Sequence, residues 1–234
     1  MTRALSLLEK DGVKAKPRAG LPGCLELEGT GNIADLSAFR EGLIRIQDAA
    51  AAVSVLAAAP KAGEIVIDGC AAPGGKSFAA AALMKNSGEI YAFDLHEHKI
   101  ELIEKGAARL GIDIIRAERR DALDPKQSLF GKADLVIADV PCSGLGTIRK
   151  KPDVRFKEQE DIKSLPDIQL KILNSLSKYV KNGGRILYST CTLLPRENQE
   201  VVAAFLKENS NFELEKFDTP FGGAESGMLT LWPH

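Results

Sequence analysis

Along the chain, short apolar runs rich in branched residues alternate with longer stretches in which apolar residues return every three or four positions. Five runs predict strands: EIVIDGC (64–70), EIYAFDL (89–95), IDIIRAE (112–118), ADLVIADV (133–140) and GRILYSTCT (184–192). They are nearly continuously apolar, as strands covered on both faces are. Helical spacing predicts KSFAAAALMKN (76–86) and HEHKIELIEKGAARLG (96–111), the second with Ile100, Ile103, Ala107 and Leu110 in one stripe and a terminal glycine. SLPDIQLKILNSLSKYVKNGG (164–184) repeats Ile168, Ile172, Leu176 and Val180 between an early proline and paired glycines, a helix bridging the fourth and fifth strands. PRENQEVVAAFLKEN (195–209) predicts a further helix, and NFELEKF (211–217) a sixth strand. Such alternation predicts an α/β fold on a doubly wound, mostly parallel sheet. Residues 1–45, with a short helix at 3–10 and a strand near 24–28, form a small separate α/β element before the main domain at 46–234.

Composition adds little to that picture. Hydrophobic residues make up 44% of the 234 and charged residues 27%, the balance of a globular chain. No apolar run reaches the roughly 18 residues of a membrane span, and MTRALSLLEKDG lacks a signal-peptide core, so a cytoplasmic protein with no membrane partner is expected. Cys24, Cys70, Cys142 and Cys191 lie at least 46 positions apart, which suggests neither a zinc motif nor a disulfide framework, and no metal is expected. With 31 basic and 32 acidic residues the net charge is −1, so any nucleic acid must be met by a local patch. IRKKPDVRFK offers one, with Arg149, Lys150, Lys151, Arg155 and Lys157 within nine residues; taken alone it reads as a solvated loop.

Parallel sheets gather their functional loops at the carboxyl ends of the strands. After the first strand comes DGCAAPGGKS (68–77), where Gly74 and Gly75 allow a close backbone turn into a helix. The spacing is neither G-x-G-x-x-G nor a P-loop, which favours a nucleoside with a carboxylate tail over a phosphate. Asp94 ends the second strand twenty residues after Gly74, near the spacing at which an acid receives ribose hydroxyls. With Asp121 after the third strand and Asp139 ending the fourth, the row of acids points to an adenosine cofactor such as S-adenosylmethionine. Cys142 follows the fourth strand and Cys191 ends the fifth, so two thiols are expected to face one cleft. Cys70 reads as inert core, and Cys24 carries no signal.

DGCAAPGGKS, ADVPCSGLGTIRKKPD (138–153) and YSTCTLLPRENQEVV (188–202) closely resemble the cofactor, proline-cysteine and threonine-cysteine motifs of the Rsm/Sun family of RNA cytosine-5 methyltransferases, above all its bacterial small-subunit ribosomal RNA members. The resemblance covers roughly residues 40–210, and EGLIRIQDAAA (41–51) resembles the family's lead-in segment. It implies a Rossmann-like class I S-adenosylmethionine-dependent fold and methylation of carbon 5 of an RNA cytidine, with 16S ribosomal RNA as substrate. Carbon 5 of cytosine is too weak a nucleophile to take a methyl group directly; thiolate addition at carbon 6 makes it enamine-like.

The resemblance implies that Cys191 is the nucleophile, that Cys142 assists proton removal and enzyme release, and that Asp139 holds or protonates the pyrimidine edge, with Lys76 as a nearby cation. It places Cys70, Ala71, Ala72, Pro73, Gly74, Gly75 and Lys76 around the methionine part of S-adenosylmethionine, Asp94 at the ribose, Asp121 at the adenine and Asp139 near the methionine end. It assigns Arg149, Lys150, Lys151 and Arg155 to RNA. A monomer is expected, with residues 1–45 as part of an RNA-binding-like element. The family has a helical domain before the point where this chain starts and a final strand after LTLWPH (229–234), so a shortened form is expected. Two alternatives stay open: an RNA-binding or ribosome-assembly module without turnover, and a transfer RNA cytosine-5 methyltransferase. A DNA cytosine-5 enzyme would use Cys142 as nucleophile and leave Cys191 unexplained.

Overall fold

The fold is that of a computed structural model in which residues 1–232 are described; residues 233–234, at the end of the expected main domain, lie outside them. Helix α1 (Thr2–Lys10) leads into an antiparallel ribbon of β1 (Lys14–Pro17) and β2 (Leu25–Glu28), followed by the short helix α2 (Ser37–Arg40). Leu8, Val13, Leu36 and Ala38 give this element its own apolar cluster. Arg109 of the main domain ties it down: its guanidinium lies 3.8 Å from the centre of the Phe39 ring and donates to the Phe39 and Ile44 carbonyl oxygens at 2.7 and 3.0 Å.

Helix α3 (Ala49–Ala58) precedes β3 (Ile65–Asp68), α4 (Gly75–Leu83), β4 (Glu89–Asp94), α5 (Glu97–Leu110), β5 (Ile115–Arg119), β6 (Ala133–Asp139), α6 (Gln159–Lys163), α7 (Leu165–Ser177), β7 (Val180–Ser189) and α8 (Gln199–Glu208). The five strands β3 to β7 are parallel and stand in the order β5-β4-β3-β6-β7, a Rossmann-like sheet. The chain winds outward from β3 to β5 and then returns to lay β6 on the other side of β3. That reversal sets the carboxyl ends of β3 and β6 side by side, where such sheets bind ligands.

Alternate side chains serve alternate faces. Val66, Ile90, Leu135 and Ile137 pack with Val55 of α3 and Ala80 of α4, whereas Ile67, Phe93, Val136 and Ala138 pack with Ile172 and Leu176 of α7 and Phe205 of α8. Burial on both faces is why the strand sequences run apolar without a break. Replacing fully buried Ile137 by alanine is expected to cost about 2–5 kcal/mol.

Several expectations need correction. The helix from 164 stops at Ser177, because Tyr179 turns inward: it is 1% exposed, lies 6.2 Å from Phe93 between ring centroids, and its hydroxyl accepts the Lys126 N–H at 2.7 Å. Val180 therefore opens β7, and the paired glycines form a bulge within it. Between the pairs Ala133–Val180 and Leu135–Arg185, β7 uses five residues where β6 uses two, and Gly183 takes φ +72°. The buried stripe of α7 is Gln169, Ile172, Leu173 and Leu176, with Ile168 exposed.

The expected sixth strand is absent from the described main sheet. Phe212 packs instead against Phe205, with ring centroids 5.2 Å apart, and only Phe217–Thr219 (β8) is extended, paired with Gly222–Ala224 (β9) in a separate hairpin. Helix α3, ribbon strand β1, and helices α2 and α6 were not anticipated.

Candidate active site

The candidate site is built on the loops at the carboxyl ends of β3, β6 and β7. Gly74 caps α4 with φ +102°, and a Cβ there would fall 2.4 Å from the Phe78 ring, so only glycine permits this turn. The turn aims Lys76 across the switch point, where its Nζ lies 2.6 Å from Asp139 Oδ2 at the end of β6. The Ser189 hydroxyl, at the end of β7, donates to Asp139 Oδ1 at 2.8 Å. Asp139 is thereby fixed at both oxygens by neighbours on two other elements.

Cys142 and Cys191 leave adjacent strands and meet with Sγ–Sγ 3.2 Å, and the Cys191 backbone N–H also points at Cys142 Sγ from 3.2 Å. The two sulfurs are not equivalent. The hydrogen bond from the Cys142 thiol pulls the Cys191 pKa down to about 7, against the opposing effects of burial and Asp139 and with help from Lys76. Cys142 moves the opposite way, because its proton is held on that bond and burial disfavours its charge. The arrangement favours charge on Cys191 over Cys142. Burial pushes the Cys70 thiol up to about 12, the environment of an inert core cysteine. Cys24 is free and half-buried in the β2 region.

Asp94 turns back on the glycine loop: Oδ2 accepts the Ala72 N–H at 3.3 Å, while Oδ1 accepts the His96 N–H at 3.2 Å and lies 3.4 Å from Lys99 Nζ. Asp121 is exposed at a shallow hollow of about 430 Å³ that it shares with Leu95, Arg119, Arg120 and Asp124. Of the loop residues, Ala71 and Gly74 are buried, Cys70, Ala72 and Gly75 half-buried, and Pro73 exposed. Arg149, Lys150, Lys151 and Arg155 are exposed; Lys150 pairs with Asp48, and Arg155 lies over the Phe156 ring at 4.7 Å. Lys157 Nζ donates to the Ser143 carbonyl at 2.8 Å, which ties this basic loop to the one carrying Cys142.

A family model for the 16S rRNA methyltransferase RsmB/F matches residues 55–234. The chain belongs to the RsmB/F family. It is 42% identical over 214 residues to a probable ribosomal RNA small subunit methyltransferase B of Bacillus subtilis, covering 87% of this chain and 47% of that protein. The corresponding Escherichia coli protein is 33% identical over 232 residues, covering 95% and 54%. Among solved structures, NSun6 from Pyrococcus horikoshii with SFG superposes with TM-score 0.72 at 30% identity, covering 80% of this chain and 47% of that one. The chain spans about half the length of the curated relatives it matches. The RsmB/F match bears out the resemblance in the motifs, and the sheet order agrees with a class I methyltransferase fold.

Other buried polar residues around the candidate site are not among those the sequence pointed to. Ser143, Gln169, Thr192 and Glu197 are buried behind the two thiols, and Asp68 is buried beneath the glycine loop, where it accepts the Ser77 hydroxyl at 2.7 Å. Gln169 had one available clue, a polar residue at helical spacing from Ile172, Leu173 and Leu176. Glu197 reads in sequence as an ordinary first-turn acid. Among the described residues no cluster of three or more His, Cys, Asp or Glu side chains is placed for a metal, and no helix is long and apolar enough to cross a membrane.

Proposed function

We propose that the chain methylates carbon 5 of a cytidine in RNA, with 16S ribosomal RNA as substrate, S-adenosylmethionine as methyl donor and Cys191 as nucleophile. The observation that carries this reading is the thiol pair 3.2 Å apart beside the Lys76–Asp139 ion pair at the switch point. The residues fit the donor: residues 70–76 form a tight turn at a helix start, with the Asp94 carboxylate facing it and Asp121 beyond the next strand. Bound there, S-adenosylmethionine supplies an electrophilic methyl group.

In the proposed scheme Cys191 thiolate adds to carbon 6 of cytosine, and Asp139, oriented by Lys76 and Ser189, holds the pyrimidine edge. The electron pair released to carbon 5 would take the methyl group as the donor's sulfur–methyl bond breaks, with S-adenosylhomocysteine as leaving group. Cys142 then assists passage of the carbon 5 proton to solvent, and the electrons of that carbon–hydrogen bond re-form the 5,6 double bond as the carbon 6–sulfur bond breaks and Cys191 leaves as thiolate. The lowered pKa of Cys191 is in keeping with its role as nucleophile. Arg149, Lys151 and Arg155 approach RNA phosphates, Lys150 does so on leaving Asp48, and residues 1–45 lie on the RNA side as a small domain separate from the catalytic residues 46–234. The target base must be unstacked to reach a sheet edge.

The test is transfer of labelled methyl from S-adenosylmethionine to unmodified small-subunit ribosomal RNA, with the product nucleoside identified by mass spectrometry. The expected product is 5-methylcytidine. Cofactor binding without any methylated nucleoside would favour an RNA-binding module instead.

A further inference from the structure

Cys142 and Cys191 sit on loops from two different strands, so their 3.2 Å separation has to be imposed from outside the pair. Behind them lies a buried polar clamp. Glu197 is 0% exposed and its Oε2 accepts two hydrogen bonds, from the Ser143 N–H at 2.8 Å and from Gln169 Nε2 at 2.9 Å. Gln169, also 0% exposed, donates from the same nitrogen to the Pro141 carbonyl at 2.9 Å. The residues on both sides of Cys142 are therefore held by one Glu–Gln unit, built from the turn after Cys191 and from α7.

The same clamp reaches the other thiol. Ser143 Oγ donates to Thr192 Oγ1 at 2.7 Å, and the Gly146 N–H donates to the Cys191 carbonyl at 2.9 Å. Asn198, next to Glu197, donates to the Thr192 and Leu194 carbonyls at 3.1 and 3.0 Å. Burying a carboxyl group and an amide in an apolar sheet–helix interface is costly unless the bonds they make are needed. The bonds to Pro141, Ser143 and Thr192 end on atoms of residues next to the two cysteines.

We propose that Glu197 and Gln169 are positioning residues that set the Cys142–Cys191 separation, and thereby the reactivity of Cys191. Neither touches the reacting atoms. The inference rests on the reading of Cys191 as nucleophile, yet its test needs no RNA, so the two fail separately. A thiol hydrogen bond at 3.2 Å is lost once the sulfurs part by about an ångström, and with it goes the main interaction favouring Cys191 thiolate. The groups facing that sulfur are then Asp139 of β6, which opposes the thiolate, and Lys76 of α4, which favours it.

The experiment follows carbamidomethylation of Cys191 against pH by peptide mass spectrometry in wild type, Glu197→Ala, Glu197→Gln and Gln169→Met. Wild type is expected to titrate near 7. Glu197→Ala and Gln169→Met are expected to move the midpoint up by about one unit, roughly a fivefold loss of thiolate at neutral pH. Glu197→Gln keeps an acceptor oxygen for both bonds and is expected to stay near wild type. Gln169→Met fills the same space without the amide, so it decides the matter if Glu197→Ala does not fold. An unmoved midpoint in Gln169→Met, whatever its melting temperature, would overturn the proposal. So would an upward shift in Glu197→Gln as large as that in Glu197→Ala.

Discussion

Cys142 Sγ lies 3.2 Å from Cys191 Sγ, and the Cys191 backbone N–H points at the same Cys142 sulfur from 3.2 Å. The Cys142 thiol hydrogen bond favours the negative charge on Cys191, the Cys191 N–H favours it on Cys142, and the first effect is the larger.

A pH dependence follows from that couple. Cys191 has its pKa held at about 7, below the ordinary thiol value of about 8.5. Its thiolate therefore grows as pH rises through 7 and is nearly complete by about pH 8. Methyl transfer is expected to rise over the same interval. Cys142→Ala removes the hydrogen bond, and the alkylation midpoint of Cys191 is expected to move up toward 8.5; a midpoint unchanged in that variant would contradict the couple.

Lys76 makes a second prediction possible. Lys76→Met takes away a cation that favours the Cys191 thiolate and leaves the Asp139 carboxylate that opposes it. Methyl transfer at neutral pH is expected to drop about fivefold, the thiolate lost when a pKa near 7 rises by about one unit. In the double variant Lys76→Met/Asp139→Asn, the thiol midpoint is expected to return toward wild type while methyl transfer stays low, because the group holding the pyrimidine edge is gone.

Asp68 bears on stability rather than reactivity. Burial raises its pKa from 3.8 to about 7, against the Ser77 hydrogen bond. The folded chain thus keeps a proton that the unfolded chain loses near pH 4, so this group's effect is to lower stability as pH rises from 4 to 7, with the whole cost present above 7. Three units correspond to at most about 4 kcal/mol. Asp68→Asn keeps an acceptor for Ser77 and is expected to gain more stability relative to wild type at pH 8 than at pH 5. Urea unfolding at the two pH values measures this, and an equal difference at both would count against it.

The basic loop is tested by salt. If Arg149, Lys151 and Arg155 each meet one phosphate of a single-stranded segment, replacing all three by alanine lowers the slope of log affinity against log salt by about 2. Lys150→Ala is expected to change the slope less, because Lys150 is already paired with Asp48. Fluorescence anisotropy over a salt series gives both slopes; equal effects of the single and triple variants would refute the assignment.

The sheet was legible because five strands buried on both faces leave unbroken apolar runs, and the motifs at their carboxyl ends fell where the switch point lies. The edges were harder to read. Tyr179 ends α7 through contacts with Phe93 and Lys126, far away in sequence, and the glycines after it then serve a bulge instead of a helix stop. Phe212 leaves the expected sixth strand to pack on Phe205. In the candidate site, Cys142, Cys191, Asp139 and Lys76 come together as their motifs implied. Glu197 and Gln169 stayed hidden because their partners are backbone groups around residues 141–143, and no local pattern records such bonds.

The most direct measurement of the central claim is a denaturing gel for a covalent protein–RNA adduct. Wild type, Cys142→Ala and Cys191→Ala are incubated with unmodified small-subunit ribosomal RNA and S-adenosylmethionine. If Cys191 attacks carbon 6 and Cys142 serves release, Cys142→Ala accumulates a slow-migrating adduct and Cys191→Ala forms none. An adduct that persists without Cys191 and disappears without Cys142 would reverse the two roles and contradict the account.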